Sequence, residues 1–231
     1  MTVLPTLAPD VVLQSTMLVL RATTLISEAS DPAEQQQRQE ELERVVNSPD
    51  AWGLITPFLE YDSDPNVQFY GAHILGVKIA RAWNTLDTSI HFPLRDSILE
   101  LTGRAIALQR PKMVLRRLYI AITAIALKLT TASPPQWSDF LTSSLLALQS
   151  QGANKEALLE FMTIAVEEVH RAPKGSKYSS YISINLHKTE CRHFDIIAIT
   201  LQMLSTQRFL PSWTPLLAPS FLLRAKRRRT C

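Results

Sequence analysis

An all-α fold of stacked helix pairs is predicted by three observations. Only six of the 231 residues are glycine while 46% are hydrophobic and 19% charged, a globular composition that favours helices over a turn-rich β fold. Apolar residues recur at three- and four-residue spacing along most of the chain, which is the period of a one-sided helix. A capping side chain followed by proline appears at Asp31-Pro32, Ser48-Pro49 and Asp64-Pro65, and proline suits the first helical position because the N–H it lacks would be unpaired there anyway.

The elements follow in order. Residues 10–28 read as an apolar helix carrying Val11, Leu18 and Leu25. Residues 32–47 read as a polar helix that meets the core through Leu42, Val45 and Val46. Its start pairs Asp31 with Glu34 in capping-box spacing, and Glu34/Arg38 and Glu40/Arg44 stand four apart along it. Residues 49–60 carry Trp52, Ile55 and Leu59, and 65–83 follow the Asp64-Pro65 start. Residues 92–108 place Leu94, Ile98, Leu101, Ala105 and Leu108 on one stripe, while 112–130 are apolar on most sides, as a helix between neighbours would be. Residues 135–149 use Trp137, Leu141, Leu145 and Leu148, and 154–170 use Leu158, Phe161, Ala165 and Val169.

Taken as antiparallel pairs (10–47, 49–83, 92–130 and 135–170) these helices recur at about 40 residues, the length of a HEAT-type repeat. The expected architecture is therefore an α-solenoid, in which neighbouring pairs bury what no pair can bury alone and leave a curved surface for a partner. Residues 1–172 form the repeat region in this reading. Residues 173–231 differ: 173–193 has no clean period, 194–204 (FDIIAITLQML) reads as one short helix, 211–220 holds three prolines, and the end is LLRAKRRRTC. A terminal repeat has to expose a polar cap, so an altered or truncated C-terminus is expected.

Charge divides along the same line. Residues 1–173 hold 14 Lys+Arg against 19 Asp+Glu, or −5, and residues 174–231 hold 10 against 2, or +8. The repeat region thus lacks the clustered positive charge that direct nucleic-acid binding needs. Both cysteines, Cys191 and Cys231, lie in the tail, so no disulfide framework is expected and a reducing compartment fits. The N-terminus has no signal-peptide pattern, and the longest apolar run, Leu118 to Leu127, is too short to span a bilayer; a soluble intracellular protein without membrane insertion is expected.

Several stretches resemble chemical motifs and fail on their details. GAHILGVK (71–78) has two glycines and a lysine, but Val77 stands where a phosphate loop needs its lysine and Ile79 where it needs Ser or Thr, and no strand precedes it. Within a helix, Gly71 and Gly76 are expected to permit close helix packing. Asp62, Asp64 and Asn66 have the opening spacing of a calcium loop, yet Val67 replaces its glycine and His73 its glutamate. His187, Cys191 and His193, with His170 upstream, lack the close cysteine pairs of a zinc site. Glu167-Glu168 beside His170 reads as a solvated helix face, and the KRRR at 226–229 as a nuclear-localisation-like patch or a charged tail. No catalytic residue, cofactor or metal is expected, and no enzyme.

The run AEQQQRQEELERVVNSPDAWGLITPFLEYDSDPNVQFYGAHILGVKIARAW (33–83) resembles the N-terminal domain of the importin-β (karyopherin-β) nuclear transport receptors. The order of parts carries the likeness: a Gln/Glu-rich helix, SPDAW, a Leu/Phe helix, then DPNVQFYGAHILGVKIARAW. With FPLRDSILELTGRAIA and VLRRLYIAITAIALKL following, the likeness is strongest to the importin-thirteen and transportin-SR branch, with its core at 33–108 and its extent at about 10–170. The resemblance implies a HEAT-repeat receptor that moves protein cargo through nuclear pores, shuttles between nucleus and cytoplasm, and binds the small GTPase Ran in its GTP form. In such receptors the second helix of each early repeat lines the concave face. That implies a Ran-facing set of exposed polar groups: Gln68, Lys78 and Arg81 on one helix, Arg116 and Arg117 on the next, and Glu160 and Glu167 on a later one. The other reading is a generic HEAT-repeat scaffold with unrelated partners and no Ran binding.

Overall fold

The computed structural model describes residues 4–28, 31–130, 132 and 134–171. Among them are eight α-helices and no strand: α1 (Pro9–Glu28), α2 (Pro32–Asn47), α3 (Ala51–Glu60), α4 (Pro65–Ala82), α5 (Thr88–Ala107), α6 (Lys112–Thr130), α7 (Phe140–Ser150) and α8 (Lys155–Arg171), with one tight turn of helix at Trp83–Thr85 between α4 and α5. Residues 173–231, where a short helix was expected at 194–204 and where His187, Cys191, His193 and the basic run lie, are outside the described residues.

Each odd-numbered helix packs on the helix that follows it, and α2, α4, α6 and α8 then lie side by side in series. This is the all-α solenoid of HEAT-type antiparallel pairs that the periodicity predicts. Its core runs continuously through the pairs, from Leu54, Ile55 and Phe58 on α3, through Ile74, Leu75 and Ile79 on α4, to Leu118, Ile122 and Ile125 on α6 and Phe161 and Ile164 on α8, all at most 1% exposed. Each such side chain contributes about 1.5–3 kcal/mol by leaving water. The middle second helices, α4 and α6, have neighbours on both sides, which is why α6 is apolar on most of its surface.

Two of the three proline starts are helix caps. The Asp31 carboxylate accepts from Ala33 N at 3.0 Å, and that of Asp64 from Asn66 N at 2.6 Å and Val67 N at 3.4 Å. Ser48-Pro49 is a correction: the residues form a turn, and α3 begins later, at Ala51. The Ser48 carbonyl accepts from Ala51 N and from the side chain of Lys78, so this segment serves as a corner between repeats.

Three other boundaries or faces shift. The α5 helix starts at Thr88 instead of 92, because Asp87 caps it through Ser89 N at 2.8 Å and Pro93 is accommodated inside the helix. The α7 helix starts at Phe140 instead of 135; Trp137 is buried from the linker before it, where its indole Nε1 donates to Ser143 Oγ at 2.7 Å. On α1 the fully buried stripe is Thr16, Val19 and Ala22, while Val11 and Leu18 are half-buried. Leu108, expected at the end of the α5 stripe, is 60% exposed because the helix has already ended at Ala107. On α2, Arg38 pairs with Glu41 at 3.2 Å, one turn on, instead of with Glu34.

The two glycines of GAHILGVK part company. A Cβ on Gly71 would stand 2.9 Å from Phe58 Cβ and 3.0 Å from Leu59 N, so glycine there lets α3 and α4 approach. A Cβ on Gly76 would meet nothing within 4 Å, so the expectation of close packing does not hold at that position.

Candidate functional site

The seven polar residues expected on the second-helix face fall into three structural groups. Gln68 and Lys78 are corrections, being 3% and 9% exposed where exposed groups were expected. Gln68 Nε2 donates to the Tyr61 carbonyl at 2.7 Å, which ties the start of α4 to the end of α3. Lys78 Nζ donates to the Ser48 carbonyl at 2.7 Å, just beyond the C-terminus of α2, where a cation also meets the negative end of the helix dipole. Burial lowers the Lys78 pKa from its ordinary value. Both side chains are consumed by the corners between helices, and a periodic reading could not distinguish them from solvated ones.

Arg116, Glu160 and Glu167 form the α6–α8 part of the face. Arg116 Nη2 lies 3.1 Å from Glu167 Oε2, with both side chains 40–50% exposed at 48% and 41%. Glu167 also lies 3.8 Å from Arg171 Nη2, so its charge is shared. Glu160 is half-buried near Tyr119, whose ring packs edge-on against Phe161 at 5.5 Å between centroids. Burial first, and then the charge of Glu160, push the Tyr119 pKa up to about 12. That phenol stays neutral across the physiological range and belongs to the wall between α6 and α8.

Arg81 and Arg117 form the α4–α6 part. Arg81 is exposed, and its Nη1 donates to Asn47 Oδ1 at 2.6 Å. Arg117 is half-buried with its Cζ 5.2 Å from the centre of the Phe69 ring, a cation–π contact between α6 and α4. Adjacent in sequence, Arg116 and Arg117 diverge around α6, one reaching α8 and the other α4. The pair thereby stitches three second helices into a single face.

This face includes three residues that sequence reasoning passed over. Phe69 and His73, four apart on α4, stack with centroids 5.9 Å apart and planes within 5°, and Tyr70 meets both rings edge-on at 5.7 and 6.1 Å. All three are half-buried. Burial lowers the His73 pKa, and the charges of Arg117 and Arg81 lower it further, so the imidazole is disposed to be neutral. The available signal was a second stripe on α4: Phe69, Tyr70 and His73 lie off the Val67, Gly71, Ile74, Leu75 stripe that enters the core, and aromatic residues left outside a core stripe often mark contact surfaces.

Among the described residues there is no group of three or more His, Cys, Asp or Glu side chains placed to hold a metal, and no helix long and apolar enough to cross a membrane.

Residues 39–104, from within α2 to near the end of α5, match the family model of the importin-beta N-terminal domain. Importin-13 of Rattus norvegicus is 30% identical over 128 residues, covering 52% of this chain and 13% of its own. Importin-13 of Bos taurus is 28% identical over 136 residues, covering 56% of this chain and 14% of its own. An uncharacterised protein of Schizosaccharomyces pombe is 26% identical over 159 residues, covering 68% of this chain and 16% of its own. The matched stretch thus spans about a seventh of the length of the curated relatives.

Proposed function

We propose, from the importin-beta N-terminal domain at residues 39–104 as premise, that this chain is a nuclear transport receptor or its N-terminal portion, binding Ran in the GTP form and taking part in protein import into the nucleus. The observation that carries the reading is that residues 39–104, which match that domain, supply α4 to a laterally joined row of second helices that continues through α6 and α8. Binding, not catalysis, is the activity: release of one ligand by another needs only differential contacts with one surface, which is a coupling free energy between sites.

In this reading the Ran-facing residues are Arg81, Arg116, Arg117, Glu160 and Glu167, while Gln68 and Lys78 act by holding the helices that display them. Protein cargo and nuclear pore proteins are the further partners, and the chain shuttles between nucleus and cytoplasm. No cofactor is needed.

The test is a pull-down of the full chain with Ran loaded with GTP or with GDP. Retention of the GTP form alone supports the receptor. Retention of neither form leaves a HEAT-repeat scaffold with other partners.

A further inference from the structure

We propose that Ser48 is a proline-directed phosphorylation site whose phosphate is held by Lys78 and Arg81, a reversible charge clamp between α2 and α4. Four hydroxyl residues stand before a proline in the chain: Ser48, Thr56, Ser133 and Thr214. Thr56 lies inside α3 with its hydroxyl buried. Ser48 is placed otherwise. It follows the last residue of α2 with φ −59° and ψ 149°, an extended backbone of the kind a residue before proline favours, and Asn47, Pro49 and Asp50 around it are exposed. Its hydroxyl makes no hydrogen bond among the described residues and is not one of the buried unpartnered oxygens, so it meets solvent.

Two cations already converge on this corner. Lys78 Nζ donates to the Ser48 carbonyl at 2.7 Å, and Arg81 Nη1 donates to Oδ1 of the adjacent Asn47 at 2.6 Å. Both acceptors are neutral, and neither cation has a carboxylate within 4.0 Å among the described residues. An ammonium carries several donors and a guanidinium more, so one bond from each leaves most of their capacity unused. A phosphate brings a charge of about −1.5 to −2 and acceptor oxygens that form charge-assisted hydrogen bonds with such a pair. The negative end of the α2 dipole opposes it, but that end amounts to about half a charge against two full positive ones. Asp50 adds a like charge two residues on, exposed and so screened by solvent. Lys78 and Arg81 stand one turn apart on α4, so a phosphate bonded to both ties the end of α2 to the last turns of α4 and fixes the first helix pair against the second.

The step is phosphoryl transfer from ATP by a serine/threonine kinase that selects proline after its target. Ser48 Oγ attacks the γ-phosphorus, the new O–P bond replaces the bond to the β-phosphate oxygen, ADP leaves, and the hydroxyl proton passes to the catalytic carboxylate of the kinase.

The experiment incubates the folded full chain, carrying Ser133→Ala/Thr214→Ala, with a mitogen-activated protein kinase, ATP and magnesium. Peptide mass spectrometry maps the phosphate, and phosphorus NMR and thermal melting follow its surroundings. Phosphate is expected on Ser48 and absent from that peptide in a Ser48→Ala variant. Its second pKa should fall below the ordinary value of about 6, because the cations favour the dianion, and the melting temperature should rise by at least about 2 °C. Arg81→Ala should cut both shifts by about half or more, each variant being compared with its own unphosphorylated form, while Lys112→Ala, which removes the same charge from the start of α6, leaves them as they were. No phosphate on Ser48 in the folded chain, or phosphate there only after thermal unfolding, overturns the site. Phosphate on Ser48 with an unshifted second pKa and an unchanged or lower melting temperature overturns the clamp. No GTPase enters the assay, so its failure is separate from failure of the receptor reading.

Discussion

The two glycines of α4 allow the packing account to be tested on a single helix. Alanine at Gly76 adds a Cβ that meets nothing within 4 Å, so the gain is that of replacing glycine inside a helix, about 0.5–1 kcal/mol. Alanine at Gly71 makes the same local gain but sets its Cβ 2.9 Å from Phe58 Cβ, 3.0 Å from Leu59 N and 3.1 Å from Ile55 O. Two of those three are backbone atoms of α3, which cannot rotate away as a flexible side chain would. Relieving the contact moves α3 against α4, an overpacking cost of about 1–3 kcal/mol. The net difference between the variants is then about 2 kcal/mol, with Gly76→Ala the more stable. For a unit of this size that corresponds to a gap of roughly 4–8 °C in melting temperature. Helical circular dichroism followed through thermal melts of both variants reads it directly. A Gly71→Ala variant that melts at or above Gly76→Ala would sink the claim that glycine sets the α3–α4 distance.

Two further outcomes follow from buried or half-buried groups on the same helix. Lys78→Met keeps the buried stem but removes the hydrogen bond to the Ser48 carbonyl, and should cost about 1–2 kcal/mol, read as a lower denaturant midpoint with an unchanged slope; an unchanged midpoint would mean that the corner does not need its cation. His73 has a folded pKa below 6.5, so the unfolded chain binds the extra proton first as pH falls, and stability drops as pH falls through the range below about 6.5. His73→Gln should therefore shrink the difference in melting temperature between about pH 5 and pH 7, and a difference equal to that of wild type would show that the imidazole is not the group responsible.

Helix type and order were legible because α4, α6 and α8 each hold apolar residues at helical period and because Asp31 and Asp64 cap through their own carboxylates. Starts were less legible where the signal was shared. Ser48-Pro49 has the composition of a cap, but its carbonyl is claimed by Lys78, 30 residues away, and no local pattern records that. The α5 stripe was read only from residue 92, about one turn after the start that Asp87 caps, and Trp137 reads as a helix residue by spacing although it is buried from a linker.

The exposure expected of the candidate residues was legible only in part. Arg81 and Arg116 are exposed, while Arg117 is half-buried over the Phe69 ring. Gln68 and Lys78 do not face solvent, since polarity alone cannot tell a side chain that serves a partner from one that satisfies a carbonyl at a corner. The aromatic group was passed over because Phe69, Tyr70 and His73 look like core residues until the packing shows which stripe enters the core.

The most direct test of the account is calorimetric titration of the full chain with Ran in its GTP-analogue and GDP forms under one buffer and salt. The account predicts saturable binding of the GTP form at least about tenfold tighter, a difference of about 1.4 kcal/mol, than of the GDP form. Equal affinity for the two forms, or heat from neither, would contradict it.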